Sequence, residues 1–248
     1  MTQPFAAGQQ QSAISDAQTA RTRYMADPAP KPLFGVRIAD IAALTADGRT
    51  IIGQRRVPTL PQFDQAFAAF AQGTVFQAQS GYLAVEDIQP GDWLMTDTGE
   101  AEQVTWVSSA TFAPTDEGDR MLLTRVLADS FGVNRPENFI SFGSAARVLQ
   151  APPDLHGSAE AARLMTPAQK FLDGVNVIEF MPPTPVRLFH IGLRQHSAIL
   201  ARGLAVESFH PGHNPTKDMS TTLSTAFLSL FPHVNELSEL GPMRFSRA

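Results

Sequence analysis

The segment FAAFAQGTVFQAQSGYLAVEDIQPGDWLMTDTGEAEQVTWV, residues 67–107, carries the clearest structural signal in the chain. Short apolar segments alternate in it with turn residues such as Pro90-Gly91, where proline fixes φ and glycine permits a positive φ. Hydrophobicity within the apolar segments alternates with a period of two, which is typical of antiparallel strands joined by tight turns. We predict strands at Thr74–Ala78, Tyr82–Val85, Asp92–Thr96 and Gln103–Ser108.

The same pattern continues on both sides of this segment. Alternation at Phe34, Val36 and Ile38, followed by Asp47-Gly48, predicts an upstream hairpin. Further strands are predicted at Met121–Val126, Val175–Phe180, Val186–Leu193, Ala198–Ala201 and Leu204–Glu207. Helices are predicted at Pro61–Phe70, Gly157–Met165, Thr166–Gly174 and Met219–Phe231. The fold class is therefore mainly β.

These motifs resemble the Hint domain, the Hedgehog/intein self-processing module, in its bacterial form. In that family a nucleophile opens a motif C-F-x-x-G-T, followed by V-E-x-L-x-x-G-D-x-V-x-T-x-D-x-G; here the two motifs are Ala69–Thr74 and Val85–Gly99. The region from Phe189 to Gly212 is similar to the closing strands of the family, with their E-S-F-x-P-G ending. The resemblance spans Phe67 to Gly212 and implies a horseshoe-like β fold with short helices and a C-terminal helix.

The resemblance also locates the positions at which the family performs its chemistry. Self-processing begins when a Cys or Ser attacks the preceding carbonyl, but the aligned residue is Ala69, which has no lone pair to attack with. The second requirement is a histidine in a T-x-x-H or S-P-x-H-R motif, which protonates the departing amide nitrogen. Anchoring that motif on Arg147 places Ala146 at the histidine position and Gly143 at the hydroxyl position. We therefore expect no catalytic residue, with Ala69 and Ala146 as degenerate positions.

Two residues that match the family remain. Thr74 is the nearest downstream hydroxyl, and we expect it to bond the backbone in a turn. His196 matches a histidine of the closing strands, and without an acid partner we expect it to be a hydrogen-bonded structural residue. Where inteins carry a His-Asn pair that cyclises, this chain has Glu207-Ser208, which cannot form a succinimide.

Nothing in the sequence indicates a cofactor or a metal. His210 and His213 have an H-x-x-H spacing, but the neighbourhood supplies too few further donors for a metal site, and the chain has no cysteine. No P-loop, dinucleotide-binding or nucleophile-elbow motif occurs. We expect neither cofactor nor metal.

Composition limits the partners and the compartment. Among 248 residues, 43% are hydrophobic and the formal net charge is −5, which suits a globular protein and argues against nucleic acid as the main partner. No apolar run reaches membrane-spanning length, and the N-terminus lacks a secretory signal. The cytoplasm is the default expectation, with export without a signal left open. A protein partner is compatible with this composition, but the sequence identifies none and leaves the oligomeric state open.

Four regions are expected along the chain. Residues 1–31 form a flexible arm, 32–66 a β-rich extension with a linker helix, 67–212 the Hint domain, and 213–248 a tail. The tail carries an amphipathic helix that buries Leu223, Phe227, Leu230 and Phe231, and its last residues, from Gly241 onward, are expected to be loose.

Three functions are compatible with this sequence. The leading hypothesis is a Hint domain that cannot self-process and acts as a structural or interaction module. One alternative is self-cleavage by a non-standard Ser or Thr. The other is a small-molecule binder that reuses the former active-site cleft, which the alanines at positions 69 and 146 would widen and leave apolar.

Overall fold

The structure is a computed structural model that describes residues 35–113, 121–155 and 164–247. The expected flexible arm, residues 1–31, and nearly all of the helix predicted at 157–165 lie outside the described residues. All described elements belong to one compact unit that begins at Val36.

The described part of the chain is built mainly from β-strands. The strands of its first half are β1 (Val36–Leu44), β2 (Thr50–Pro58), β3 (Phe70–Ala71), β4 (Val75–Ala78), β5 (Gly81–Ala84), β6 (Trp93–Met95) and β7 (Ala101–Phe112). Those that follow are β8 (Leu123–Val126), β9 (Ile140–Phe142), β10 (Arg147–Leu149), β11 (Leu164–Pro167), β12 (Val177–Phe180), β13 (Val186–Leu193), β14 (Ala198–Ala201), β15 (Leu204–Glu207) and β16 (Ser246–Arg247). Two α-helices are described, α1 (Pro61–Asp64) and α2 (Thr221–Leu228). The predicted mainly β fold is confirmed.

The predicted upstream hairpin is confirmed as β1 and β2, which pair antiparallel from Val36 opposite Pro58 to Leu44 opposite Thr50. Gly48 in its turn has φ of 80°, a conformation that glycine adopts without strain. The hairpin is not a separate layer, because β1 also pairs antiparallel with β7.

The strands join in the order β12-β8-β9-β3-β13-β7-β6-β4-β14-β15-β10-β11-β16, with β1 beside β7 and β5 beside β4. β7 pairs with β6 at its start and with β13 and β1 over the rest of its length, which explains why it continues to Phe112 rather than ending at Ser108 as predicted. Successive residues of β13 face opposite sides, so that Leu188 joins one hydrophobic cluster and Phe189 the other.

The predicted helix Pro61–Phe70 is wrong in its second half. α1 ends at Asp64, and turns carry the chain to β3, where Phe70 pairs with Phe189 and Phe142. Pairing with β13 and β9 overrides the helical pattern, although Phe63, Phe67 and Phe70 are all fully buried as that pattern predicted.

Two other predictions near the C-terminal half are also wrong. The helix predicted at Thr166–Gly174 is strand β11 followed by a short 3₁₀ helix, Ala168–Phe171, because β11 pairs with β10 and β16. The described residues after Gly241, 242–247, are not loose, since Phe245 is only 7% exposed and Ser246–Arg247 forms β16; Ala248 lies outside the described residues.

The predicted docking of the C-terminal helix is confirmed. The Ser220 side chain caps α2 by accepting a hydrogen bond from the Leu223 amide. Beyond the helix, the Trp106 indole donates to the Leu230 carbonyl at 2.7 Å, and the Phe231 ring lies 5.0 Å from the Trp106 ring and 5.3 Å from the Phe209 ring, centroid to centroid. The tail therefore completes a hydrophobic core against β7.

We expect Phe231→Ala to lower the free energy of unfolding by about 3–5 kcal/mol, because it leaves a cavity among three aromatic rings. Chemical denaturation monitored by circular dichroism measures this change. The control is Val175→Ala, at a side chain that is 70% exposed, which should change stability by less than about 0.5 kcal/mol. Equal losses in the two variants would contradict the docking of the tail.

Candidate functional site

The peptide bond between Ala68 and Ala69 is held by hydrogen bonds from two separate segments. The Ala69 amide donates to the Phe189 carbonyl of β13 at 3.2 Å. From the other side, the Ala145 amide donates to the Ala68 carbonyl at 2.9 Å, and the Gly143 amide donates to the Ala69 carbonyl at 2.8 Å. Ala68 and Ala69 are 1% and 0% exposed, so this peptide is fixed inside the protein.

The structure brings Ala69 and Ala146, the two positions expected from the family motifs, into one region. Ala69 and Ala146 both belong to the larger hydrophobic cluster, and Ala146 is 2% exposed. The loop from Gly143 to Ala146, which leads into β10, supplies one amide to the Ala68 carbonyl and another to the Ala69 carbonyl. Both side chains are methyl groups, which can neither attack a carbonyl nor transfer a proton.

Gly143 approaches this peptide so closely that no side chain fits. A Cβ atom placed on Gly143 would lie 2.3 Å from the Ala68 oxygen and 2.7 Å from Leu188 Cδ1. Because the first contact is with backbone, it cannot be relieved by a rotamer change. The hydroxyl position of the family motif is therefore closed here as long as the 68–69 peptide keeps its place.

Thr74 and His190 lie next to this region. The Thr74 hydroxyl donates to the Ala71 carbonyl at 2.6 Å in the turn before β4. His190, on β13, donates from Nδ1 to the Gln65 carbonyl at 2.8 Å, and its ring packs edge-on between Phe70 and Phe209. Burial lowers the pKa of His190 from 6.5 to about 4, so the ring is neutral at pH 7.

No motif in the sequence identifies His190 as a site residue. It lies in a strand of apolar residues, and only the pairing of β13 with β3 brings it beside the Ala68–Ala69 region. The sequence signal that could have identified His190 is a histidine placed among the apolar residues Leu188, Phe189 and Ile191.

Comparison with known proteins identifies the family to which this sequence belongs. The family model for the Hint domain matches residues 68–213, more than half of the 248-residue chain. The chain belongs to the Hint domain family. No curated protein matches it.

Two solved structures are similar to this Hint domain protein. A bacterial intein-like domain from Clostridium thermocellum is 12% identical, with 57% of this chain and 99% of that one covered and a TM-score of 0.35. The MchDnaB-1 intein is 14% identical, with 57% of this chain and 100% of that one covered and a TM-score of 0.32.

The matched Hint range ends beside a buried ionic cluster around Glu207, which is 3% exposed. Its carboxylate accepts from His196 Nε2 at 3.0 Å and from Arg247 Nε at 2.9 Å, and Arg147 Nε lies 3.7 Å away. Burial alone would raise the pKa of Glu207, but the His196 hydrogen bond and the Arg247 charge outweigh it and hold that pKa below its ordinary value. His196 thus has a carboxylate partner in this Hint domain.

The cleft between this cluster and the Ala145 loop is small and polar. Its volume is about 30 Å³, room for one or two water molecules, and charged or polar side chains including Arg147, His190 and Glu207 line it. Neither Ala69 nor Ala146 lines this cleft, since both side chains are buried in the hydrophobic core.

The described residues offer neither a metal cluster nor a membrane span. No three His, Asp or Glu side chains within 35–113, 121–155 and 164–247 are grouped closely enough to hold a metal ion. His210, considered above for its spacing to His213, uses both ring nitrogens for the backbone of Gly241 and Gly212. In the same ranges, no helix is long and apolar enough to cross a membrane.

We expect Gly143→Ala to destabilise the protein by about 1–3 kcal/mol or more, because the added methyl must displace the Ala68 carbonyl. The matched control is Gly53→Ala in β2, where the new methyl meets only the flexible end of Arg55 at 3.3 Å. Urea denaturation of both variants checks this. A loss at Gly143 no larger than at Gly53 would show that the peptide can move aside.

The buried His190 predicts an acid-sensitive stability. In the unfolded chain this histidine binds a proton below about pH 6.5, whereas in the folded protein it does so only near pH 4. Its contribution to the free energy of unfolding is therefore complete above pH 6.5 and decreases as the pH falls from 6.5 to 4. The loss from this residue is about 3 kcal/mol. His190→Gln should flatten that part of the profile in denaturation experiments at several pH values, and His213→Gln, at an exposed position, should leave it unchanged. Identical profiles for all three proteins would contradict the assignment.

Proposed function

We propose that this Hint domain protein does not cleave itself and acts as a structural or interaction module. The observation that carries the proposal is that the Ala68–Ala69 peptide is buried and has no reactive side chain at either position of the family motifs. The peptide that the family would cleave is buried and held by two backbone hydrogen bonds, one to its carbonyl and one from its amide, while both reactive positions of the family motifs bear methyl groups.

The backbone around this peptide could stabilise a reaction that the side chains cannot start. The Ala145 amide points at the Ala68 oxygen, where negative charge would develop during attack. Such a donor accelerates the reaction only after a nucleophile has added to the carbonyl. With Ala69 in place there is no nucleophile, so the donor serves to hold the chain.

The nearby hydroxyl groups support the same proposal. The Thr74 hydroxyl is bonded to Ala71, and the Ser108 hydroxyl, which faces the turn before β3, is bonded to the Ala66 carbonyl. Both residues are more than nine-tenths buried. Self-cleavage by Thr74 or Ser108 would require its hydroxyl to leave this bond and turn toward a carbonyl carbon.

The size of the cleft argues against the small-molecule alternative. A cavity of about 30 Å³ is roughly a tenth of the smallest ordinary ligand pocket. The module is therefore proposed to act through its surface, and the division into an extension at 32–66, a Hint domain at 67–212 and a tail at 213–248 is part of the same proposal.

We expect the purified protein to remain one intact chain during prolonged incubation with dithiothreitol or hydroxylamine, which cleave thioesters and esters. Without a nucleophile at Ala69 no such ester forms, and without imidazole at Ala146 no group of the family motif protonates the leaving amide. Intact-mass spectrometry checks this. A fragment that begins at residue 69, or at a Ser or Thr between 74 and 80, would instead establish self-cleavage.

The matched variants are Ala69→Cys, Ala146→His and the two combined. Cleavage confined to the double variant would mean that the scaffold keeps a competent geometry and has lost only its reactive groups. Cleavage in the unmodified chain would contradict the proposal regardless of how these variants behave.

A further inference from the structure

The segment Gly241–Arg247, called the clasp below, lies across the ionic cluster at the end of the Hint domain. Its last residues form β16, which pairs in parallel with the edge of β11. Phe245 is 7% exposed, clusters with Met165 and Ala198, and places its ring 5.6 Å from that of His196, centroid to centroid.

Two histidines hold the clasp through its backbone. His196 Nδ1 accepts a hydrogen bond from the Arg244 amide at 3.0 Å, and its Nε2 donates to Glu207. His210 Nε2 donates to the Gly241 carbonyl at 3.0 Å, while its Nδ1 accepts from the Gly212 amide. In each ring one nitrogen must be an acceptor, so both imidazoles are neutral while the clasp is in place.

Protonation of either ring would break one of its hydrogen bonds. A proton on His196 Nδ1 would face the Arg244 amide, so that two donors would meet and the hydrogen bond to the clasp would be lost. A proton on His210 Nδ1 would oppose the Gly212 amide, whereas Nε2 would still donate to the Gly241 carbonyl. The two ring centroids are 5.1 Å apart, so a second positive charge in this buried region would repel the first.

The surrounding charges do not cancel this effect. The Glu207 carboxylate that accepts from His196 is shared with Arg247 and lies close to Arg147. Burial, followed by the nearby His196 and Arg247, lowers the pKa of His210 despite the Gly241 carbonyl. The titratable and charged groups that face the two rings from the packed strands and the clasp are Glu207, Arg147, His190, Arg244 and Arg247.

We propose that residues 241–247 form a pH-sensitive clasp, closed while His196 and His210 are neutral and released when these rings are protonated. A free histidine binds a proton near pH 6.5. The closed form is therefore fully favoured above that pH and is lost as the pH falls below it. Release uncovers Glu207 and the edge of β11, and it proceeds whether or not the Hint domain can cleave itself.

The experiment is amide hydrogen exchange on the full chain at pH 7.5 and 5.5, with rates corrected for the intrinsic effect of pH. We expect exchange in peptides covering 241–247 to speed up at pH 5.5 at least tenfold more than exchange in peptides from β7 and β13, which speeds up only as far as protonation of His190 lowers the global stability. Unchanged protection of the clasp, or an equal loss in β7 and β13, would overturn the proposal.

The variant is the pair His196→Gln and His210→Gln, because glutamine can donate and accept at these positions but does not titrate. Its clasp should stay protected at pH 5.5, whereas the control His213→Gln should respond as the unmodified chain does. A double variant that releases its clasp at pH 5.5 would overturn the proposal.

Ring-nitrogen NMR of the unmodified chain gives a test that needs no substitution. Loss of the neutral Nε2–H form of His196 and His210 should coincide with clasp release. Release with both rings still neutral would overturn the proposal even if the double variant fails to fold.

Discussion

The pairing of β13 with both β3 and β7 is the constraint on which the rest of the molecule depends. β13 is buried on both faces, with Leu188 in one hydrophobic cluster and Phe189 in the other. One of its carbonyls receives the Ala69 amide, and its His190 packs beneath the turn that precedes β3. The central strands and the Ala68–Ala69 region are therefore ordered by the same hydrogen-bond ladder, so a shift of one would disrupt the other.

The region around Ala68 and Ala69 shows that positioning of a peptide and reactivity toward it are separate properties of this fold. Positioning of the peptide is supplied by backbone amides, which do not depend on side-chain identity. Reactivity depends on a nucleophile and a proton donor, and at Ala69 and Ala146 this chain provides only methyl groups. The close approach of Gly143 to the Ala68 oxygen adds a steric constraint, because a side chain at position 143 would require the Ala68–Ala69 peptide to move.

The tail beyond residue 213 is integral to this Hint domain protein, although the family model ends there. Phe231 completes an aromatic core with Trp106 and Phe209, and the clasp closes over Glu207. These two contacts have different chemistry. The first is apolar, whereas the second depends on imidazoles that must remain neutral, so acid should loosen the clasp before it disturbs the aromatic core.

Local patterns in the sequence predicted the hairpins, the turn at Asp47-Gly48 and the buried faces of Phe63, Phe67 and Phe70, because turn geometry and side-chain alternation depend on neighbours along the chain. The family motifs likewise located Ala69 and Ala146. The early end of α1, the strand at Leu164–Pro167 and the ordered clasp depended on partners far away in sequence, as did the place of His190. Hydrogen bonding to a distant strand can outweigh a local preference of a few tenths of a kcal/mol per residue, and only the tertiary structure shows where that happens.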